Sequence, residues 1–445
     1  MWRGTNWAIK AEMTARFRTP NAIIRPLAGV IGLAVVGVVI VLGLAGRPAL
    51  PAIDPSTKAA FDRGAVERGA GLAKIGDCDV CHTAQGPVYS GGLPIRTPFG
   101  TIYTANITPD PETGIGRWSK DAFIRAMTRG VARNGSHLYP AFPYDHFTHL
   151  APQDLSDLYA FLMTREAVHA RHPANRLIPP LGFRPLLWGW KLLFLKTGLI
   201  TADPARPAEW NRGRYMVEAL AHCGACHTPR DALGAEISNR AFSGGWSDGW
   251  YAPPLNGQSP AARRWTPPRL YTYLRTGLDP AHAAAAGPMG PVTRGLAEAP
   301  DADVRAIAVY IASLIAAVPA PRSEAPPVDH AASAAQANPR GALLFAGACA
   351  NCHEAGAGMM TLGRPSLALG TPLRETTPRD VLQIILRGLK PPVGRSGPYM
   401  PGFAHDFTDT QAGEIAAYLR ARFTDRPAWT DLAKAARQAR KEGGS

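Results

Sequence analysis

Six cysteines occur in the 445-residue chain, and all six fall in three copies of one pattern: Cys78-Asp79-Val80-Cys81-His82, Cys223-Gly224-Ala225-Cys226-His227 and Cys349-Ala350-Asn351-Cys352-His353. C-x-x-C-H is the spacing at which c-type haem is attached. Two thiols about one helical turn apart can each add to a vinyl group on one porphyrin edge. The histidine that follows carries its imidazole under the macrocycle to bind iron. The pattern predicts three covalent haem c groups, with thioethers at the six cysteines and iron ligands at His82, His227 and His353. A zinc module would gather two Cys pairs, or a Cys pair and a His pair, in one short segment. Here the pairs stand 145 and 126 residues apart. A thioredoxin-like pair needs a βαβ setting and has no use for the adjacent His, and structural disulfides would not repeat the format three times.

A haem used for electron transfer commonly carries a second axial ligand, and a Met thioether there raises the potential. Met289, in Gly287-Pro-Met-Gly290, and Met400, in Gly397-Pro-Tyr-Met-Pro401, stand 21 and 18 residues before Tyr310 and Tyr418. Their shared Gly-Pro context favours iron ligation over core packing. Counting back 17 from Tyr159 in the first repeat gives Phe142, in Tyr139-Pro-Ala-Phe-Pro143, which cannot bind iron. His146 is the first candidate for that sixth position, followed by His137, His149, Met127 and Met163. An open or water-filled position is the other alternative. A bis-His iron would have a lower potential than a His/Met one and would be where electrons come in; a five-coordinate iron would admit small ligands.

These residues need helices to position them. The first motif ends a helical stretch at 65–75, and apolar Leu155, Leu158, Tyr159 and Leu162 follow the i, i+3, i+4, i+7 pattern of an amphipathic helix over 154–163. Equivalent closing helices are expected at 303–314 and 410–422. Motif, long loop and closing helix thus recur three times, as an internal repeat does. The fold class expected is mainly α: an N-terminal transmembrane helix followed by three tandem cytochrome c domains, at 61–168, 206–317 and 340–424.

Residues 27–46 are twenty consecutive uncharged residues, enough at about 1.5 Å per residue for a ~30 Å hydrocarbon core. Five bases precede them, which puts 1–26 in the cytoplasm and the remainder outside. A cleaved signal peptide is the alternative; signal cores usually run about 7–15 residues, so an uncleaved anchor is preferred. Either way the haem domains face the periplasm of a bacterial inner membrane. Residues 169–205 form a linker whose 181–200 stretch is apolar and aromatic, but broken by Arg184, Pro185, Lys191 and Lys196. It reads equally as a segment at the lipid headgroups or as a linker packed between domains. Residues 318–339, rich in Pro and Ala, are expected as an extended tether, and the basic tail 425–445 as a solvated helix.

Gly and Pro together make 87 residues, high for a packed enzyme, and suit small loop-rich domains in which a cofactor supplies much of the core. The net charge of +14 could suggest nucleic acid. The two termini account for +4 and +2 of it, and six propionates from three haems would offset most of the remaining +8. No nucleic-acid partner is expected.

Thr97-Pro-Phe-Gly-Thr-Ile-Tyr-Thr-Ala-Asn-Ile-Thr-Pro-Asp-Pro-Glu-Thr-Gly-Ile-Gly116, His137-Leu-Tyr-Pro-Ala141, and Asn211-Arg-Gly-Arg-Tyr215 leading into His222-Cys-Gly-Ala-Cys-His-Thr-Pro-Arg230 resemble the tri-haem cytochrome c subunits of membrane-bound bacterial dehydrogenases, over about residues 61–424. One branch of that family serves quinohaemoprotein alcohol dehydrogenases and carries Met where this chain has Phe142. The other serves molybdenum hydroxylases acting on aldehydes or N-heterocycles. Phe142, with Ala252-Pro-Pro-Leu-Asn256, Leu274-Arg-Thr-Gly277 and Ala286-Gly-Pro-Met289, is more similar to the second. The resemblance implies a chain that passes electrons from a separate catalytic dehydrogenase subunit, molybdenum- or quinone-cofactor dependent, to ubiquinone or a terminal oxidase. No catalytic residue of its own is expected. Two other readings stand beside it: a peroxidase- or reductase-type haem enzyme using an open first haem, and a tethered shuttle that feeds an oxidase directly.

Overall fold

The computed structural model describes residues 37, 43–55, 60–316, 328–354, 356–357, 365–391 and 399–443. The chain divides into residues 1–47 and 48–445, and the second of these carries the architecture that follows. The segment 1–26 and nearly all of the expected span 27–46 lie outside the described residues. Among the described residues no helix is long and apolar enough to cross a membrane.

Helix α1 (Arg63–Ile75) starts where Asp62 Oδ1 accepts the Ala65 N–H at 2.8 Å, an N-cap that satisfies one of the orphan donors of the first turn. A one-turn helix α2 (Cys78–Cys81) holds the first motif. Strands β1 (Pro94–Thr97) and β2 (Gly100–Tyr103) pair antiparallel with Ile95 opposite Ile102. Helix α3 (Lys120–Arg129) is capped by Ser119 at its start and by left-handed Gly130 (φ 59°) at its end. The short α4 (Tyr144–Phe147) and the closing helix α5 (Pro152–Met163), with Pro at its first turn, complete the repeat.

The expected linker folds onto what precedes it. Strand β3 (Arg176–Leu177) pairs with β2, and helix α6 (Leu186–Phe194) is pinned by the buried Lys191. Lys191 Nζ donates to the Arg129 and Gly130 carbonyls at 2.9 and 2.5 Å, the C-terminal end of α3, where a cation complements the helix dipole. Of the two readings of this stretch, the packed linker describes its inner face.

The second repeat runs through α7 (Ala208–Tyr215), a π-helical turn at Met216–Leu220, α8 (Gly224–His227), the hairpin β4 (Gly245–Ser247) and β5 (Trp250–Ala252), and α9 (Pro267–Thr276). A second small hairpin, β6 (Leu278–Asp279) and β7 (Ala283–Ala284), precedes α10 (Met289–Glu298) and the closing helix α11 (Asp301–Ala316). The third contains α12 (Ala331–Ala337), α13 (Pro339–Ala348), α14 (Ala350–His353), α15 (Arg379–Arg387), the closing helix α16 (Asp409–Phe423) and α17 (Leu432–Gly443).

Two expectations about the third repeat change. The stretch read as an extended tether becomes helix α12 in its second half, where five of seven residues are Ala, the strongest helix former. The C-terminal helix is not solvated: Ala436 and Ala439 are fully buried against α15 and α16, and Arg440 reaches Asp409 at 2.9 Å. Lys434, Arg437 and Lys441 lie on the exposed face of an amphipathic helix whose alanine stripe is core.

One crossing recurs three times. The helix before each motif meets its closing helix at a glycine (Gly69, Gly213 and Gly341), where a Cβ would collide with the carbonyl oxygen of Asp157, Ala306 or Glu414. The arginine before each glycine clamps the closing helix: Arg68 to Asp157 at 2.7 Å, Arg212 to Asp303 at 2.7 Å, Arg340 to Glu414 at 3.2 Å. The aromatic residues against these glycines are Phe161, Tyr310 and Tyr418. The counterpart of Tyr310 and Tyr418 is therefore Phe161 rather than Tyr159, whose hydroxyl donates to the Trp118 carbonyl instead.

Candidate haem-binding centres

At the end of each of these helices the chain turns into a C-x-x-C-H helical turn. The turn brings both thiols to one side and the histidine to its C-terminal end. None of the six cysteines is paired in a disulfide. Burial pushes Cys78 and Cys223 up to about 12 and Cys81 and Cys349 up to about 11. Such thiols are the opposite of the low-pKa pairs of redox enzymes and suit conversion to neutral thioethers.

Two of the motif histidines are oriented by backbone. His82 Nδ1 donates to the Ala105 carbonyl and His227 Nδ1 to the Pro253 carbonyl, both at 2.6 Å. Each bond places the proton on Nδ1 and leaves the Nε2 lone pair for a metal, the usual outer-shell arrangement of a ligating imidazole. Burial draws both rings below their ordinary pKa, which keeps them neutral.

Orphaned polar atoms test whether haem c fits these centres. Arg387 Nε and Nη2, at the end of α15, are buried without a partner among the described residues, as is the Tyr144 hydroxyl in the first repeat. Buried polar groups are almost always paired, and propionate carboxylates would supply acceptors for a guanidinium and a phenol of this kind. The residues present fit the group.

Met289 opens α10 and packs on the core that holds Cys223. The left-handed Gly287 just before it lies on the Trp250 ring, three residues from the carbonyl that orients His227. Met400 forms a β-bridge with Leu389, and its carbonyl closes over Gly388, so the loop that carries it is strapped to the end of α15. Both expected thioether ligands thus sit on the loop or helix start that precedes their closing helices.

The first repeat differs. Phe142 packs among Phe147 and Tyr144, with ring centroids at 5.5 and 6.4 Å. Both ring nitrogens of His146, the expected sixth ligand, are engaged in this arrangement: Nδ1 with the Glu218 carbonyl at 2.8 Å and Nε2 with Glu236 Oε1 at 2.7 Å. Against the desolvation of burial, Glu236 and Asp145 hold its proton up to about 9. Asp145, His146 and Glu236 are grouped closely enough to hold a cation, and an imidazolium–carboxylate bond joins the last two. His137 Nδ1 accepts from Lys191 Nζ at 2.9 Å, which places its own proton on Nε2. His149 Nδ1 donates to the Gly198 carbonyl. Met127 is buried in the core, and Met163 is packed against it.

The first two motifs abut. Gly76, which ends α1, has Leu220 against it, and its backbone carbonyl accepts a hydrogen bond from the His222 ring. The Asp77 carboxylate, pushed up to about 7 by burial, is near enough to raise the thiols of Cys81, Cys223 and Cys226 alike. The contact is reciprocal: α10 of the second repeat packs on α1 of the first, and α4 of the first packs on the π turn of the second. The third repeat, through α15, reaches the second at the β4–β5 hairpin. Ser247 Oγ lies 3.4 Å from Cys226 Sγ, and the turn after it is held by α15: Arg379 Nε and Gln383 Nε2 donate to the Gly249 carbonyl at 2.8 and 3.1 Å, and the Tyr251 N–H donates to Asp380 at 2.9 Å.

Sequence reasoning passed over the Arg-Gly clamp and the carbonyls that orient the histidines. The clamp had a signal, an Arg-Gly pair whose glycine stands 8–10 residues before the first Cys of each motif. The carbonyls have none, since any residue supplies one.

Comparison with known proteins matches residues 212–314 to the cytochrome c family and residues 336–419 to the family described as cytochrome c oxidase, cbb3-type, subunit III. A nicotinate dehydrogenase subunit of Pseudomonas putida is 44% identical over 424 residues, 94% of this chain, which spans only 35% of that relative. The fructose dehydrogenase cytochrome subunit of Gluconobacter japonicus is 36% identical over 91% of this chain and 88% of its own length. The gluconate 2-dehydrogenase cytochrome c subunit of Pantoea cypripedii is 35% identical over 85% and 90%.

Proposed function

Because the chain belongs to the family of cytochrome c subunits of bacterial dehydrogenases, we propose that it is a tri-haem member that carries electrons from a separate catalytic subunit to ubiquinone or a terminal oxidase. The observation that carries this reading is the threefold clamp-and-turn unit, in which one Arg-Gly crossing delivers each C-x-x-C-H turn, with the first two turns in contact. Bound haem supplies one-electron redox chemistry. The protein's own part is to set spacing, burial and axial ligands. His82, His227 and His353 hold iron on one side, and Met289 and Met400 complete the second and third centres.

The catalytic partner we favour is a molybdenum hydroxylase acting on aldehydes or N-heterocycles. Phe142 supports it, and so does the P. putida relative named for nicotinate, an N-heterocyclic acid. Relatives named as cytochrome c subunits of quinone alcohol dehydrogenases, at 36% identity, support the alternative. Residues 27–46 act as an uncleaved membrane anchor, and the haem domains face the periplasm.

The test is mild detergent extraction of the full chain, followed by cofactor analysis of what stays bound. Molybdenum with a pterin supports the favoured partner, and pyrroloquinoline quinone transfers the chain to the alcohol dehydrogenases. Haem counted by pyridine haemochrome at three per chain supports the tri-haem reading; two per chain refutes it. Met289→Leu and Met400→Leu should each abolish one share of the near-infrared band of Met-ligated ferric haem.

A further inference from the structure

Three side chains with metal-ligating atoms meet where the first two repeats join: Asp145 and His146 of α4, and Glu236 of the second repeat. One ligand atom of each lies within 4.8 Å of the other two. The histidine is already set as a ligand would be. Its Nδ1 donates to the Glu218 carbonyl of the π-helical turn at 2.8 Å, and its Nε2 is turned to Glu236 Oε1 at 2.7 Å. His82 and His227 are held by a backbone carbonyl in the same way, the outer-shell arrangement that prepares an imidazole for a metal. Asp145 is the member with least compensation. Burial pushes its carboxyl up, and among the described residues no side chain donates a hydrogen bond to it. Arg230 stands 3.7 Å from Glu236 Oε1 but donates to the Gly234 and Ala225 carbonyls at 2.7 and 2.9 Å. An open groove of about 1100 Å³ leads to all three residues. The carboxylates on its wall (Asp145, Glu218, Asp231, Glu236) outnumber Lys196 and Arg214, a balance that draws in cations.

We propose that Asp145, His146 and Glu236 form a divalent cation site that clamps the first repeat to the second beside the second haem-attachment turn. One imidazole nitrogen and two carboxylate oxygens, with a groove that admits water ligands, suit zinc, which takes nitrogen and oxygen donors together. Binding exchanges the proton shared by His146 and Glu236 for the metal, so one proton leaves as one cation enters. Zinc bonds of about 2.0–2.2 Å hold ligand atoms roughly 3.3 Å apart, so the Nε2–Oε1 pair opens slightly in the exchange. Gly224, in the second attachment turn, lies against both His146 and Glu236. A cation here sets positive charge beside that turn, and positive charge favours the ferrous form of a nearby haem. That consequence rests on the haem reading above; the clamp itself is indifferent to which dehydrogenase supplies electrons.

The test uses the full three-haem chain in detergent, stripped with EDTA and desalted. Isothermal titration with zinc chloride should give one tight site per chain, weakened at least tenfold in Asp145→Asn, in His146→Gln and in Glu236→Gln. The exposed His169, near Asp110 and Glu112, is the control, and His169→Gln should bind zinc as the wild type does. Zinc should raise the joint melting transition of the first two repeats. In a spectroelectrochemical titration it should raise one haem midpoint, and neither change should occur in Glu236→Gln. No tight site, or one that survives all three substitutions, would overturn the clamp. So would a His146→Gln variant whose first haem changes its absorption spectrum, since His146 would then be on iron. Zinc that binds without moving any midpoint would place the cation away from the second turn and overturn it too. The carrier reading, judged by haem count and bound cofactor, would stand in each case.

Discussion

The first two repeats and the third use the same clamp, yet they are built into the molecule in different ways. One continuous core runs from Leu72 to Ile315, with Leu72, Phe161, Met216, Leu220 and Tyr310 all members. The third repeat has its own core, from Ala334 to Ala439. The first pair is held by buried apolar surface and reciprocal helix contacts, whereas the third is held to the β4–β5 hairpin by hydrogen bonds from Arg379 and Gln383 and to Asp380. Apolar burial is non-directional and hard to undo piecemeal, so the first two centres form a fixed couple. A polar latch of a few bonds is weaker and more specific. An internal repeat of sequence is therefore not always a repeat of independence.

Mutagenesis separates these two modes of attachment. Leu220 is 1% exposed and touches Gly76 across the seam, so Leu220→Ala should cost about 4 kcal/mol. Calorimetry should show the first two repeats melting earlier together, with the third transition in place; separate shifts for the first two would refute the shared-core account. Gly341→Val, which drives a branched side chain into the Glu414 carbonyl and Tyr418, should cost about 3 kcal/mol and lower the third transition alone. Pairing Arg379→Ala with Gln383→Ala should weaken the latch by about 2 kcal/mol. Small-angle scattering should then report a longer particle, with haem spectra unchanged. An unaltered envelope would mean that something other than this latch holds the third repeat.

The seam between the first two repeats also responds to pH. His146 carries its proton up to about 9 in the fold against an ordinary 6.5. The stability it gives the seam is complete below pH 6.5 and is lost as pH rises through about 9. Despite its burial, Glu236 is held below its ordinary 4.5 by the same pair, so its share is lost only as pH falls into the acid range. His146→Gln should flatten the alkaline decline of the first transition between about pH 7 and 10, and the third transition should be indifferent. A decline of equal steepness in the variant would assign the seam's alkaline sensitivity to other groups.

Much of this was legible in the chain itself. Cysteine spacing names its own chemistry, because thioether attachment and the proximal ligand depend on residues within five positions of one another. Amphipathic periodicity located the three closing helices to within about two residues, since one buried stripe per helix is what a 3.6-residue period records. The alanine stripe of α17 was present in the sequence as well, but its basic outer face dominates the composition.

What the sequence could not settle was everything that depends on which surfaces meet. His146 was expected as a ligand from its place in the chain, and nothing in the sequence announced that the packing of α4 on the second repeat brings its two nitrogens to Glu218 and Glu236. Lys191 looked like a headgroup lysine and became the buried pin of α6, because the carbonyls it needed were about sixty residues away at the end of α3. Local spacing determined the three C-x-x-C-H motifs and the attachment chemistry they point to, since that pattern lies within five consecutive residues. Only the tertiary structure decided that two centres share a core, that the third is latched on, and that a groove opens beside the second. Those outcomes depend on contacts between distant segments, which no single stretch of sequence encodes.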